Sequence, residues 1–501
     1  MNDKNAPNQL KSIARRAMME RGLEPDFSTT ALEQLRLITG PSRETGPAIR
    51  DQRSLLWCSI DNDTSKDLDQ LSVSEKLPDG KVKVLVAIAD VDAVVKKGSP
   101  LDKHASNNTT SVYTMAQIFP MLPEKLSTDL TSLNKNEDRI ALVIEMVVAP
   151  DGTVTDSDIY RAVVNNKSKL AYNSVAAWLD GHEKMPDQIA QVPGMEEQLR
   201  TQDQIAQAMR QVRYLHGSLE LESLEPEAIL SSDGKITDLR LNTKNRAKEL
   251  IEDFMIAANG VSARFLEKKQ WPTLQRVVRS PERWDRIQKV AEEFGEHLPA
   301  QPDSKALSAF LTKRRQIDPL RFPDLSLTIV KLMGSGEYVV QVPGQTSPGH
   351  FGLAVREYSH STAPNRRFPD LITQRMLKAA LTDSKPAYSV AEMNWLATHC
   401  TDREDAANKV ERQVRKSAAA QFLSDRIGQV FDALITGKND KGTWVRVITP
   451  PVEGKLTDTP ADVDVGDQIK VKLTSLNVER GFIDFTRVGT EKKIAVRPNS
   501  H

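Results

Sequence analysis

The sequence predicts an α+β protein in which a large central domain lies between a small N-terminal helical module and a small C-terminal β-barrel. Three observations predict this class. Hydrophobic residues make up 39% of the 501 positions, which is enough for a large buried core. Residues 51–426 mix β-branched strands with long helical periodicities, and the pattern changes after 427 to short strands broken by Gly and Pro. We therefore expect domains at 1–50, 51–426 and 427–501.

The first 50 residues have the pattern of two short helices. Apolar periodicity predicts one helix over 11–18 that runs on to Gly22, and a second over 29–38 with Ser28 or Thr30 as its N-cap. Two helices around a Gly turn suggest a helix-turn-helix or winged-helix-like module, which would contact nucleic acid. Packing against the rest of the protein explains the same pattern equally well.

The central domain contains two clear buried strands, at 83–90 and 140–148. Both are rich in β-branched and apolar residues, and the second is closed by the turn Pro150-Asp151-Gly152. Helical periodicity then appears in five segments, at 195–215, 246–268, 282–296, 370–381 and 403–427.

Short strands mark the C-terminal domain, at 429–435, 442–447, 466–473 and 481–485. About five strands with this spacing predict a small closed barrel, for which the OB fold is the natural candidate. Phe431 and Trp444 would stack on bases, and Lys470 with Lys472 would contact phosphates, so we expect the barrel to bind RNA. The alternative is that the two aromatic rings fill the barrel interior.

Composition limits the classes of function. The chain has 68 basic and 68 acidic residues, which argues against a protein that coats nucleic acid without specificity. Only Cys58 and Cys400 are present and the N-terminus lacks an apolar segment, so we expect a cytoplasmic protein without membrane association. Neither G-x-x-x-x-G-K-[ST] nor G-x-G-x-x-G occurs, so no nucleotide cofactor is expected.

The most informative segment is DNDTSKDLDQ at 61–70, which directly follows an apolar run. Its carboxylates belong to Asp61, Asp63, Asp67 and Asp69. Oxygen ligands that converge at the end of a strand suit a hard divalent cation such as Mg²⁺. Such an ion can polarise a phosphoryl oxygen and activate a water for in-line attack. A solvated acidic turn and a calcium loop remain open as alternatives.

The spacing of this loop and a series of further motifs resemble the ribonuclease II/ribonuclease R family of 3′-to-5′ exoribonucleases. The further motifs follow the order of that family and lie at 87–91, 98–102, 110–113, 120–127, 132–134, 251–259, 350–353 and 358–370. The closing barrel also sits where the family carries its RNA-binding OB domain. The resemblance implies an RNB-type catalytic domain over 51–426.

The resemblance also implies a role for each polar site residue. Asp61 and Asp67 would help to hold magnesium, directly or through water, and Asp69 would orient the attacking water or the terminal ribose. Arg366 matches the catalytic arginine of the family, and its planar, charged fork suits a scissile phosphate. Arg367 would assist it, or would instead be a surface or core-capping cation.

Two residues are implied in holding the RNA end. Tyr113 matches the aromatic residue that stacks on the terminal bases, and an aromatic face binds any base, so degradation needs no sequence preference. A buried Tyr with a bonded hydroxyl is the alternative. Glu411 falls where the family places an acidic residue near the RNA end.

Two features depart from the family pattern. The family has a fourth aspartate where this chain has Gln70, whose amide oxygen can ligate a cation but brings no charge and should weaken metal binding. Asp63 lies close enough in sequence to substitute for it. In addition, the 50 residues before the central domain cannot hold the paired cold-shock barrels that precede it in the family, so a helical module is expected there.

The sequence therefore predicts a monomeric exoribonuclease that uses Mg²⁺, or Mn²⁺ in its place, to degrade single-stranded RNA to nucleoside 5′-monophosphates. One alternative is a catalytically weakened RNA-binding protein of the same fold, in which Gln70 marks a decayed site. The joint presence of Asp61, Asp67, Asp69 and Arg366 speaks against decay. A calcium-binding structural module leaves Arg366 and the barrel unexplained.

Overall fold

The computed structural model describes residues 6–222, 225–230, 236–242, 244–439, 442–458, 463 and 465–489. Its first nine strands are β1 (Ile49–Asp51), β2 (Cys58–Asp61), β3 (Gln70–Lys76), β4 (Val82–Ala89), β5 (Val112–Tyr113), β6 (Ile118–Phe119), β7 (Asp138–Val148), β8 (Val154–Asn165) and β9 (Ser168–Ala171). Seven of these strands form one sheet in the order β1-β8-β7-β4-β3-β2-β9, and β5 with β6 forms a separate hairpin.

The centre of the sheet is the predicted pair of apolar strands. β4 and β7 run antiparallel, with Ala87 opposite Val143, and most of their residues are buried. Strands covered on both faces have continuous rather than alternating apolar sequence, which is why these two could be recognised. The neighbouring pair β2 and β3 is also antiparallel, so the acidic segment is the connection between two adjacent strands.

The helices are α1 (Ala6–Glu20), α2 (Thr29–Leu37), α3 (Pro100–Asn108), α4 (Tyr172–Leu179), α5 (Asp187–Ala190), α6 (Met195–Leu215), α7 (Arg246–Lys268), α8 (Trp284–Glu293), α9 (Ser304–Ile317), α10 (Phe322–Met333), α11 (Phe368–Leu381) and α12 (Val390–Phe422). The last of the five predicted central helices starts earlier than expected, because Ser389 and Glu392 form a capping box at its N-terminus. None of the helices in the described ranges has the length and apolarity to span a membrane.

The two N-terminal helices pack against the central domain. Ser28 caps α2 as predicted, and its hydroxyl accepts the Ala31 N–H. Along α1, Ala14, Ala17 and Met18 are buried in a cluster with residues of the β5–β6 hairpin and of α12. This packing accounts for the apolar faces of α1.

The remaining strands are β10 (Glu225–Leu230), β11 (Ile236–Asn242), β12 (Thr273–Val277), β13 (Glu337–Gln341), β14 (Val430–Asn439), β15 (Gly442–Val447), β16 (Val452–Leu456), β17 (Gln468–Asn477) and β18 (Phe482–Arg487). The last five close into a barrel in the order β14-β15-β16-β18-β17. The predicted α+β class with a C-terminal barrel is therefore confirmed.

One barrel strand, β16, was not among the segments named from the sequence. Its centre is Gly454, which weakens a strand pattern but is required here, because a Cβ at this position would lie 2.5 Å from the Phe485 ring. A second glycine brings the barrel onto the central domain. Gly481 has φ +65°, and a Cβ there would lie 2.6 Å from the Cβ of Lys416 on α12.

A buried charge cluster joins α6 to α7. Asp253 on α7 is almost fully buried and pairs with Arg210, at 2.8 Å, and with Arg213, both on α6. Burial raises the pKa of Asp253, while the two guanidinium groups act in the opposite direction. Asp253 belongs to one of the motifs singled out in the sequence, and its contacts assign it to the packing of two helices.

We predict that Asp253→Asn destabilises the fold by about 3 kcal/mol, because it leaves two largely buried guanidinium groups without their shared counter-ion. Urea unfolding of the whole chain measures the effect. Glu252→Gln on the same helix is the matched control, since Glu252 pairs with Lys244 near the surface, where an ion pair contributes about 0–1 kcal/mol. Equal losses in the two variants would contradict the assignment.

Candidate active site

The acid loop, residues 62–69, connects β2 to β3. Asp61 is the last residue of β2 and Gln70 is the first residue of β3, so the four aspartates proposed from the sequence lie at or beside this one connection. The Asp61 carboxylate folds the loop back on itself, because its Oδ1 accepts the Asn62 N–H at 2.7 Å and the Ser65 hydroxyl at 2.9 Å. Asp63 is exposed at the outside of the turn.

A buried serine holds the second half of the loop. The Ser132 hydroxyl donates to the Lys66 carbonyl at 2.7 Å and accepts the Leu68 N–H at 3.0 Å. The Leu133 N–H donates to the Leu68 carbonyl at 3.0 Å. These bonds fix the backbone on both sides of Asp67, which gives a physical role to the 132–134 motif.

Asp69 is the most buried of the acids, with 2% of its surface exposed. Its Oδ1 accepts the Asn365 N–H at 2.9 Å, whereas its buried Oδ2 accepts no hydrogen bond. Burial raises the pKa of Asp69 to about 7, although the Arg366 charge and the Asn365 N–H oppose the rise. The charge of the neighbouring Asp67 raises the pKa of Asp69 further. The site therefore contains a buried carboxylate oxygen with a free lone pair.

Arg366 lies directly beside this oxygen. Its Nε is 3.4 Å from the Asp69 Oδ2, and 42% of its side chain is exposed, so the guanidinium faces the carboxylate and the open site together. The turn that carries it is fixed by Asp370 in α11, which accepts the Ala363 N–H at 2.8 Å. The Thr131 hydroxyl also donates to the Asn365 side chain at 2.6 Å.

Tyr113 connects three parts of the site. Its hydroxyl donates to the Asp67 Oδ2 and its backbone N–H donates to the Glu411 carboxylate, each at 2.9 Å. The Ser111 N–H donates to the Arg366 carbonyl at 2.9 Å, which ties the same strand to the arginine turn. Burial raises the pKa of the Tyr113 phenol, so it stays protonated and donates. The structure thus brings Tyr113, Glu411, Asp67 and Arg366 together.

Arg367 has different surroundings from Arg366. Its side chain turns toward Asp370, with a contact of 2.8 Å, and is mostly buried. Burial acts to lower its pKa, but the interactions with nearby groups, led by the Asp370 carboxylate, together outweigh this and the net pKa is raised. The geometry therefore favours the core-capping alternative over an assisting role at the phosphate.

The carboxylates depart from the expected cluster around one cation. In the part of the chain that the structure describes, no three His, Cys, Asp or Glu side chains are placed to hold one metal ion. Asp61 is engaged by its own loop and Asp67 by Tyr113, and like charges repel one another when no cation lies between them. The donor chemistry still suits a hard divalent ion, because Asp61, Asp67, Asp69 and Gln70 all offer oxygen and one Asp69 oxygen is unbonded.

One site residue was missed from the sequence. Tyr172 opens α4 directly after β9, and β9 pairs with β2 so that Ala171 lies opposite Asp61. Burial raises the pKa of its phenol, the Asp61 charge raises it further, and the Arg366 charge acts in the opposite direction. Only the pairing of two strands far apart in the chain reveals this neighbour.

The barrel aromatics have different positions. Phe431 is buried in the barrel core and meets Phe485 edge to face, with ring centroids 6.3 Å apart. Its prediction as a stacking residue is wrong, because a side chain that fills the barrel cannot receive a base. Trp444 is half-buried on β15, so its prediction as an RNA contact stays a prediction.

Comparison with known proteins places these features in a family. Residues 49–383 match the RNB domain, and residues 429–488 match the RNase II-type exonuclease C-terminal S1 domain. Ribonuclease R of Escherichia coli is 30% identical over 478 residues, which cover 88% of this chain and 58% of that relative. The chain thus spans little more than half the length of this curated relative.

Solved structures share the fold. The RNA-free form of Mycoplasma genitalium RNase R superposes with a TM-score of 0.85 at 21% identity, covering 97% of this chain and 78% of that one. The same protein in complex with ribose methylated single-stranded RNA gives 0.84 at 20% identity, with the same coverage. Because the RNB match covers well over half of its residues, the chain belongs to the RNB domain family.

Proposed function

We propose that this chain is a 3′-to-5′ exoribonuclease that hydrolyses single-stranded RNA to nucleoside 5′-monophosphates. The observation that carries the proposal is the contact of a buried, unbonded Asp69 oxygen with an exposed Arg366 guanidinium, beside the hydroxyl-anchored ring of Tyr113. Family membership and the RNA bound to a protein of the same fold support it. A cytoplasmic location is proposed with it, since the buried thiols of Cys58 and Cys400 are free.

Each residue has a part that follows from its chemistry. The exposed ring of Tyr113 stacks on a base at the strand end without reading its identity. The Arg366 fork binds the scissile phosphate and offsets the charge that builds up as the linkage breaks. Asp69 Oδ2 is the free acceptor that orients a water and takes up its proton.

The proposed metal is a divalent cation, Mg²⁺ or Mn²⁺, which would lie among Asp61, Asp67, Asp69 and the Gln70 amide oxygen. When bound, it would supply charge neutralisation at the phosphate and a more acidic water. Binding would also remove the repulsion among the three carboxylates.

Labelled RNA tests the function directly. A 5′-labelled single strand should shorten as a ladder, and a 3′-labelled strand should lose its label at once as a mononucleotide. A DNA strand of the same sequence and an EDTA-treated sample are the controls. Internal fragments would indicate an endonuclease, and an unchanged but bound strand would favour the alternative of an RNA-binding protein with a decayed site.

We predict that Asp69→Asn lowers kcat by about 10²–10⁴-fold, because the amide cannot take up a proton from water. RNA affinity should persist, since Tyr113 and Arg366 remain. Single-turnover hydrolysis and fluorescence anisotropy measure the two quantities. Asp383→Asn, an exposed residue paired with Lys269, is the control. Near-normal hydrolysis by the Asp69 variant would refute its assignment to the chemical step.

We predict that Ser132→Ala lowers kcat by about tenfold or more while its cost in stability is about 1–3 kcal/mol, because the Leu68 N–H loses its acceptor and the acid loop loosens. Ser127→Ala is the matched control, since this buried serine bonds only to the Leu122 and Pro123 carbonyls. If the two variants lose stability and activity alike, Ser132 supports the fold and does not position the loop.

We predict that Gln70→Asp tightens binding of Mn²⁺, because an added carboxylate strengthens a hard-cation site. Titration calorimetry on the whole chain measures the dissociation constant without reference to turnover. Asp63→Asn is titrated in parallel. If the Asp63→Asn variant and the unaltered protein have the same dissociation constant for Mn²⁺, the exposed Asp63 does not compensate for the missing fourth acid.

A further inference from the structure

The β5–β6 hairpin has one buried face and one exposed face. Val112 and Phe119 are buried in the cluster with α1 and α12. Tyr113 and Ile118 point the other way and are 41% and 57% exposed. Large apolar side chains that stay this exposed beside a polar site are candidates for ligand contact.

Tyr113 and Ile118 are direct cross-strand neighbours. They lie opposite each other in the antiparallel register, and the Thr114 N–H donates to the Gln117 carbonyl at 3.2 Å to close the turn. Tyr113 and Ile118, the next pair along the hairpin, are therefore a pair without mutual hydrogen bonds. In such pairs the side chains approach each other most closely. The Tyr113 N–H accordingly points outward and is taken by Glu411.

The tyrosine ring in this pair is held at both ends. Its hydroxyl is bonded to Asp67 and its backbone to Glu411, so the ring cannot swing away from the acid loop. Ile118, its cross-strand neighbour, adds a second exposed apolar side chain on the same face. We refer to Tyr113 and Ile118 as the hairpin platform.

The hairpin contacts both the acid loop and a hydrophobic cluster that includes the barrel core. Met115 and Ala116 at the tip of the hairpin pack against the cluster that contains the barrel core, whereas Tyr113 contacts the acid loop.

We propose that Ile118 is a specificity-determining residue that binds the base next to the one stacked on Tyr113 and so helps to set the shortest RNA that the enzyme holds. The inference rests on the proposed function. An aliphatic side chain contacts the face of any base, so Ile118 adds affinity without sequence preference. Short RNA strands make few other contacts with the protein, so their binding depends most on the contact with Ile118.

The test compares Ile118→Ala with Ile118→Phe in the full chain, with oligo(A) as the RNA. In an Asp69→Asn background, Ile118→Ala should weaken binding of an oligomer of about five nucleotides by about fivefold, the loss expected when roughly 1 kcal/mol of apolar contact is removed. In the active enzyme it should leave a longer final product. Ile118→Phe should shift both quantities in the opposite direction, because a ring stacks on the base.

Ile317→Ala is the matched control, because Ile317 is equally exposed, at 59%, at the end of α9. Melting temperatures of all variants report on folding. If Ile118→Ala and Ile317→Ala give the same product length and the same affinity, the role of Ile118 is refuted while the exonuclease proposal stands. If the unaltered enzyme fails to shorten RNA, the proposed function fails, and the binding measurements still decide whether Ile118 contacts RNA.

Discussion

The hydrogen bond from the Asn365 N–H to the Asp69 Oδ1, at 2.9 Å, is the contact on which the site depends. It joins the acid loop, near the start of the central domain, to the turn before α11. Because the bond occupies one carboxylate oxygen, it leaves the other directed at Arg366 and without a hydrogen bond. It is a direct hydrogen bond between the loop that carries the acid and the turn that carries the arginine.

Bringing these charges together has an energetic cost that the surrounding structure must offset. A buried carboxylate beside a second acid is disfavoured by desolvation and by repulsion, which is the reason for the raised pKa of Asp69. The Arg366 guanidinium, the Asn365 N–H and the loop held by Ser132 offset this energetic cost. The same unfavourable charge would favour a bound cation, so the cost of folding and the proposed ability to bind metal have one origin.

The sequence predicted the elements that have strong local signals. It failed for residues whose position depends on the pairing of distant strands or on the direction of a side chain. The apolar runs of β4 and β7 and the cap of α2 could be recognised because they depend on neighbouring residues. Tyr172 could not, since its place beside Asp61 follows from the pairing of β9 with β2. Phe431 was misassigned because alternation along a strand shows that two faces exist, but not which of them faces the barrel core. For the same reason, the sequence could not show that the acids are tied to their own loop and to Tyr113.

The helix α12 is the element to which both the hairpin and the barrel attach. It spans 33 residues without a break, or about 50 Å. Glu411 on this helix anchors the hairpin, and the barrel turn at Gly481 rests on the same helix at Lys416, less than two turns further on. Since both attachments lie on one continuous helix, that helix sets the spacing between the hairpin and the barrel turn. The separation of the two attachment points along the helix axis therefore follows from the rise per residue of an α-helix.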